Sequence, residues 1–383
     1  VVATVTQRLR SPNPATFVGS GKVEEVAQLA RAEAVDVIII DDELTPSQQS
    51  NLEKAVDRDI KVIDRTALIL DIFALHAKSR EGKLQVRLAQ NEYLYPRLRG
   101  MWAHLASNRM GGGVGSRFGE GESQLEVDRR MVRNRITSIK RELARLKKVR
   151  GIQRESRYES GVINLALAGY TNAGKSSLLN ALSGSSVYAD DLPFATLDST
   201  TRSITLPQGR EVTVTDTVGF IQKLPTTLVE AFRSTLDEIS GADLILHVVD
   251  ASSDEQQMHI ESVCETLGQI HAERIPSILV FNKIDLLSPD EQTVLKGRYP
   301  EGVFVSARAG SGLDELIQRI TLAAGAAEET LRVVLPYSKG DLISAAHRRC
   351  AVLSESFEED GVHMTLRCPA ALRSAYGSFE EER

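Results

Sequence analysis

Apolar and polar positions along the chain change their period several times, and each change marks a different kind of element. KVEEVAQLARAE (22–33) spaces its apolar positions three and four apart, which predicts an amphipathic helix. VDVIIIDD (35–42) is β-branched and mostly apolar, the pattern of a buried parallel strand. TPSQQSNLEKAV then predicts a helix, with Thr45 as N-cap and Pro46 at the first helical position. DIKVID (59–64) predicts another strand. Residues 1–65 are therefore expected to form a small α/β unit.

From 66 to 158 the period becomes that of a heptad. Leu70, Phe73, Ala77, Leu84, Leu88 and Tyr95 form one seam, and Val132, Ile136, Ile139, Leu143 and Leu146 form another. Two long helices packed as an antiparallel hairpin are expected. The plainer alternative is two amphipathic helices lying on a core. Between them runs RMGGGVGSRFGEGESQLE (109–126), with six glycines. Glycine-rich loops that open helices often cradle phosphate, but these glycines follow no predicted strand. A flexible hairpin tip is the expectation, with Arg109 and Arg117 supplying local charge.

Strands and helices alternate from 160 to 325, as in a doubly wound sheet. VINLALAG, SITLP, EVTVTD, DLILHVVD, PSILVFN and GVFVS are the predicted strands. The last region, 330–383, predicts a small β-α-β appendage built on LRVVLP and GVHMTLRCP, with SESFEED as an acidic turn and SFEEER as a frayed tail.

Charge adds one feature to this picture. The chain of 383 residues has a net charge of −6, yet Gln124 to Arg157 holds twelve Lys/Arg against four Asp/Glu. A basic stripe on an acidic protein is a directed surface, and an anionic partner follows the stripe. Apolar runs such as LILHVV fall far short of the roughly 20 residues of a membrane span. VVATVTQRLRSPNP shows no basic region before an apolar core, so no secretory signal is expected. Cys264, Cys350 and Cys368 fit no metal pattern and read as free thiols of a reducing cytoplasm.

Four short motifs carry the chemistry. GYTNAGKSS (169–177) directly follows a predicted strand and has the phosphate-loop spacing. The amides of Gly169, Tyr170, Thr171, Asn172, Ala173 and Gly174 would surround a β-phosphate, and Lys175 would reach the β- and γ-oxygens. Ser176 would take one Mg²⁺ position, and Ser177 continues into a helix whose N-terminus favours the anion. DTVG ends strand EVTVTD: Asp216 would hold Mg²⁺ through water, Thr217 and Val218 follow it, and the Gly219 amide would sense the γ-phosphate. In NKID, the Asp285 carboxylate fits the paired N1 and 2-amino hydrogens of guanine, while Asn282 and Lys283, next to Ile284, brace base and loop. Ser306, Ala307 and Arg308 (SAR) place a backbone amide near the guanine O6. This order selects GTP over ATP.

DDLPFATLDSTTRSI lies between the first two motifs, and one of its threonines would complete the Mg²⁺ shell. Thr196, Thr200 and Thr201 are the candidates. Phe220 follows DTVG where many GTPases carry a water-orienting Gln, so slow hydrolysis by the isolated protein is expected. Arg202 and Arg233 are weaker candidates as charge stabilisers.

The sequence resembles the HflX family of ribosome-associated GTPases in GYTNAGKSSLLN, PFATLD, DTVGFIQKLPTTLVEAFRSTL, FNKIDLL and SAR. GSGKVEEV, GGGVGSR and GEGESQLEVDRR resemble that family's N-terminal signatures and separate it from other Obg-like GTPases. The resemblance covers about 10–325. It implies GTP/GDP binding with Mg²⁺, and association with the large ribosomal subunit and its rRNA. Roles in ribosome splitting or rescue, or in subunit assembly, follow from it as well. Thr196 of Phe194-Ala195-Thr196-Leu197-Asp198 is the implied Mg²⁺ ligand, and a hydrophobic residue at Phe220 is a family trait. Lys175, Thr196 and Gly219 are the implied catalytic set. Two departures stand out: GEGE replaces the usual G-P-G-E, and Ser123 replaces a Thr.

The expected fold class is thus α/β. An N-terminal α/β unit (1–65) and a helical hairpin (66–158) precede a P-loop GTPase domain (160–325) and a small C-terminal domain (330–383). A cytoplasmic monomer on the ribosome is the leading expectation. The alternative is a nucleotide-switched RNA-remodelling factor with a second, ATP site in 1–65, where no phosphate-loop pattern stands. A third reading makes the hairpin only an interdomain strut.

Overall fold

The computed structural model describes residues 1–56, 60–98, 118–159, 162–184, 198–207, 209–220, 233–326, 328–369 and 373–381. Arg109, Arg117 and the glycine-rich stretch up to Arg117 lie outside the described residues, as do Phe194, Ala195, Thr196 and Leu197. The described chain divides into two compact units, one of Val1–Arg145 and one from Leu146 onward.

The first unit opens with α1 (Ser20–Ala32), β1 (Val37–Ile40), α2 (Pro46–Val56) and β2 (Lys61–Asp64). β1 and β2 pair in parallel, with Val37 opposite Lys61 and Ile40 opposite Asp64. Val23, Ala27, Leu44, Leu52, Val56 and Val62 make the core, and Ile38 and Ile40 pack against it. β1 is not the buried strand its composition predicts. Side chains alternate between faces, and Val37 and Ile39 remain 41% and 51% exposed. Thr45 caps α2 as expected, accepting from the Gln48 amide at 3.2 Å.

Asp64 is the joint of this unit. Fully buried, its carboxylate accepts from the Ala67 amide at 2.8 Å and so caps α3 (Arg65–His76). It also accepts from the Leu44 amide at 3.1 Å and from Arg97 Nη2 at 3.3 Å. Arg97 donates further to Leu44 O and Gln49 Oε1, at 2.6 and 3.0 Å, and lies 3.5 Å over the Tyr93 ring. Burial, then Asp64, pushes the Tyr93 phenol well above its usual range.

The first heptad seam does not form one rod. α3 stops at His76, Ala77 is extended, and α4 (Arg80–Leu94) restarts with Ser79 capping the Gly82 amide at 2.8 Å. Leu70, Phe73, Ala77, Leu84 and Leu88 are all buried, so the spacing marks the core faces of two helices. The second arm is a single helix, α5 (Phe118–Glu159), of 42 residues. Arg80 pairs with Glu142, Lys140 with Glu92 at 2.7 Å, and Arg133 Nη2 donates to the Tyr95 hydroxyl at 2.6 Å. From Arg80 to Tyr95 the α5 partners descend from Glu142 through Lys140 to Arg133, as between antiparallel neighbours.

The second unit is built on a six-stranded sheet of order β4-β5-β3-β6-β7-β8. Its strands are β3 (Ile163–Gly169), β4 (Thr200–Thr205), β5 (Glu211–Asp216), β6 (Leu244–Asp250), β7 (Ser277–Asn282) and β8 (Val303–Phe304). Only β4 runs antiparallel to its neighbour. α6 (Lys175–Ser183), α7 (Arg233–Ser240), α8 (Gln256–Gln269), α9 (Pro289–Arg298) and α10 (Leu313–Ala326) join the strands. Leu244, Leu246 and Val248 of β6 enter one buried cluster, while Val249 enters another. This is the doubly wound arrangement the alternation predicts.

The C-terminal region corrects two expectations. It holds β9 (Glu328–Leu335), α11 (Gly340–Arg349), β10 (Ala351–Glu358), β11 (Gly361–Pro369) and the short α12 (Arg373–Tyr376). The strands form an antiparallel sheet of order β10-β11-β9, so SESFE is strand rather than turn. Pairing with β11 supplies its backbone partners, which the acidic composition concealed. Nor is the tail frayed as far as Glu381, the rest of it lying outside the described residues: the Glu381 amide donates to Arg332 O at 2.9 Å and its carboxylate meets His363 Nδ1 at 2.8 Å. Asp360 and Glu358 lie 2.9 and 3.7 Å from His363 Nε2. Hydrogen bonds to Asp360 and Glu381 raise the His363 pKa.

Candidate functional site

The candidate site grows from the C-terminal edge of the six-stranded sheet, where parallel strands deliver their loops. β3 ends at Gly169, the chain turns through Asn172 (φ 61°) and Gly174 (φ 87°), and α6 starts at Lys175. Gly174 has a second reason to lack a side chain. A Cβ there would lie 2.2 Å from Asn282 Nδ2. Asn282 Nδ2 donates to Ala173 O at 3.0 Å, and its Oδ1 accepts from the Ala307 amide at 3.0 Å. One buried amide thus joins GYTNAGKSS to NKID and SAR. Of the SAR backbone amides, that of Ala307 is engaged by Asn282.

Lys175 Nζ donates to Gly169 O at 3.1 Å and Tyr170 O at 3.0 Å. Burial pulls its pKa down to about 8, with Asp216 acting in the opposite direction. Ser176 Oγ donates to Asp216 Oδ2 at 2.6 Å. These two hard oxygen donors meet at one point and suit Mg²⁺. Ser177 is half-buried at the start of α6, and buried Thr217 donates to Leu167 O at 2.7 Å.

DTVGF closes on the loop. The Phe220 amide donates to Gly169 O at 3.0 Å, and the Thr171 amide donates to Phe220 O at 2.9 Å. A Cβ on Gly219 would sit 2.8 Å from Thr171 Cα and 3.1 Å from Lys175 Nζ, so only glycine fits this approach. Val218 and the Phe220 ring are buried. Thr200 and Thr201 open β4, Thr200 opposite Asp216, and the Thr201 hydroxyl is bonded to that of Thr215 at 2.9 Å. Asp198 is half-buried just before them and Arg202 is exposed. Of Arg233 only its place, at the start of α7, is described.

Asp285 is exposed beside buried Ile284, free of the core as a base-binding carboxylate must be. Lys283 takes φ 64° and pairs with Asp250 Oδ2 at 2.8 Å. Ser306 is buried and accepts from the Ala309 amide at 3.0 Å, while Arg308 points to solvent. Three residues near the site escape sequence reasoning. Asp250 is signalled only by ending a strand. His247, opposite Ala168, is pulled down to about 4 by burial and by Lys175. His259 stacks on Tyr170, centroids 3.9 Å apart and planes 20° from parallel.

Three family models match consecutive stretches: GTP-binding GTPase N-terminal over 1–74, GTP-binding GTPase Middle Region over 76–157, and 50S ribosome-binding GTPase over 164–283. GTPase HflX of Caldanaerobacter subterraneus is 43% identical over 379 residues, covering 99% of this chain and 86% of that protein. The chain belongs to the HflX family of GTPases. GTPase HflX of Escherichia coli is 45% identical over 370 residues, with coverage of 95% and 85%. A GTP-binding protein from Sulfolobus solfataricus, solved with GDP, is similar at 25% identity and a TM-score of 0.42, over 82% and 88% of the two chains. This HflX-family protein binds guanine nucleotide and hydrolyses GTP. Among the described residues it has no helix long and apolar enough to cross a membrane.

The N-terminal unit does contain a groove of about 450 Å³ beside α1. Its charged side chains are Glu24 and Arg31, and Arg31 donates to Val56 O at 3.3 Å. One committed cation and no glycine-rich turn make a poor triphosphate cradle.

Proposed function

We propose that this GTPase acts on the large ribosomal subunit, and that α5 carries its contact with rRNA. The observation that supports this is a basic ridge opposite the packed seam. Ile139 is buried and Val132, Ile136 and Leu143 are half-buried on one side of α5. At about 100° per residue, Arg130, Arg141 and Arg145 fall on the other side, and all three are exposed. Cations on the flank are engaged, Arg133 with Tyr95 and Lys140 with Glu92. Among the described residues no ion pair forms at the three ridge arginines. Each phosphate they neutralise releases counterions, so binding should weaken steeply with salt.

Within the site, Lys175 would hold β- and γ-oxygens and the Gly219 amide would meet the γ-phosphate. Asp285 would select guanine, with Asn282 holding the loops in register. Ser176, Asp216 and Thr196 would hold Mg²⁺, which when bound neutralises charge developing on the phosphates. Buried Phe220 offers no hydrogen bond to a water, so the ribosomal partner would complete the hydrolytic arrangement. Splitting of ribosomes and assistance in subunit assembly are the two roles this reading allows.

The test is GTP turnover with and without purified large subunits, for the unaltered chain and for Arg130→Glu/Arg141→Glu/Arg145→Glu. Stimulation should appear and should fall at least tenfold in the triple variant at unchanged basal turnover. Equal stimulation of both proteins would remove α5 from the contact, and no stimulation of either would remove the partner. Sedimentation of intact ribosomes with a non-hydrolysable GTP analogue then separates the roles, since splitting releases free subunits.

A further inference from the structure

The phosphate loop is anchored by more than its motifs. Asn282 holds its second half at Ala173. The Phe220 peptide holds the main chain on both sides of Tyr170, at Gly169 and Thr171. The peptide joining Tyr170 to Thr171 carries both that Thr171 amide and the Tyr170 carbonyl, which is one of two oxygens that hold Lys175 Nζ. A small rotation of that peptide re-aims the ammonium. The Thr171–Phe220 hydrogen bond holds that peptide at its N–H end, and the Tyr170 side chain offers a second, independent anchor at its other end.

That side chain meets His259. The two rings lie face to face at 3.9 Å with a 20° tilt. His259 belongs to the first turn of α8, whose Val263, Thr266 and Leu267 are buried. α8 packs on β3 and β6, the strand that delivers the loop and its neighbour. The stack therefore ties the loop to a rigid platform on the same sheet. The His259 side chain is only 15% exposed, and this desolvation lowers its pKa and favours the neutral ring. A neutral imidazole stacks without a buried cation to solvate. No nucleotide-binding motif contains His259.

We propose that His259 is a positioning residue for the phosphate loop, acting through its stack on Tyr170 to aim Lys175. The inference rests on the GTPase activity alone and is independent of any ribosomal partner. It is tested in the full chain with His259→Ala, His259→Phe, Tyr170→Ala and the Tyr170→Ala/His259→Ala double variant. Affinity for a fluorescent GDP analogue and basal GTP turnover are read below the melting temperature of each protein. His259→Ala should weaken GDP binding and raise KM about three- to tenfold, the range of one aromatic pair, with kcat within about twofold. His259→Phe keeps a flat ring and should restore affinity to within about twofold. The double variant should be no weaker than the weaker single variant. An unchanged His259→Ala, a His259→Phe as weak as alanine, or additive single effects would each overturn the proposal.

Discussion

Two apolar strands, VIII in β1 and LILHVV in β6, look alike as text and end in different surroundings. β6 has three strands on one side of it and two on the other, and helices over both faces, so every residue from Leu244 to Val249 is buried. Among the described residues β1 has a single neighbour, β2, and its outward side chains remain half in solvent. The two units also differ in how they are joined. The GTPase sheet rests on aliphatic packing through Leu165, Leu167, Val212, Val214 and Leu246. The N-terminal unit hinges on a buried carboxylate and a guanidinium. Apolar runs thus report strand-forming capacity, while the number of covering layers decides burial.

Three changes sharpen this contrast, beginning with the largest effect. Arg97→Ala should cost about 3–5 kcal/mol, because it leaves Asp64 charged, fully buried and without its cation. Urea unfolding with hydrogen exchange over 37–64 should localise the loss to the first unit, and a loss under about 1 kcal/mol would make Asp64 a capping residue only. Leu246→Ala and Ile39→Ala form the second comparison. Leu246 is wholly buried and should cost about 2–5 kcal/mol through lost transfer energy and a cavity. Ile39 leaves no cavity and should cost less than about 1 kcal/mol. Equal losses would mean that something covers β1 in solution.

The smallest effect is at the C-terminal sheet. The His363 pKa is raised above its ordinary 6.5 by Asp360 and Glu381. Its charge therefore holds Glu381 fully below about pH 6.5 and releases it as pH rises through the raised folded value. Exchange of the Glu381 amide, bonded to Arg332 O, should quicken across that window. His363→Gln should abolish the pH dependence, and exchange that follows only intrinsic base catalysis would exclude this role for His363.

The nucleotide motifs were readable because each packs its chemistry into three to nine consecutive residues. Strand, turn and helix around GYTNAGKSS are local events, dictated by glycine, lysine and serine at set spacing. Asn282 bracing Ala173 is not local, since its partners stand 109 residues apart. Nor is the Tyr170–His259 stack, which requires α8 to lie over β3. The first heptad seam misled for a related reason. Period alone cannot tell one rod from two helices, and the Ser79 cap broke the rod.

By itself the sequence determined the GTPase class and the alternation of strands and helices in its sheet, and it nominated residues for phosphate, metal and base. These follow from short-range spacing and from side-chain chemistry that acts over one turn or one strand. Tertiary structure alone decided that β1 keeps an open face, that SESFE pairs as a strand, and that Glu381 docks on β9. It also decided which cations of α5 are engaged and which face outward. Each of those outcomes depends on which surface arrives opposite a residue, and that surface comes from distant parts of the chain.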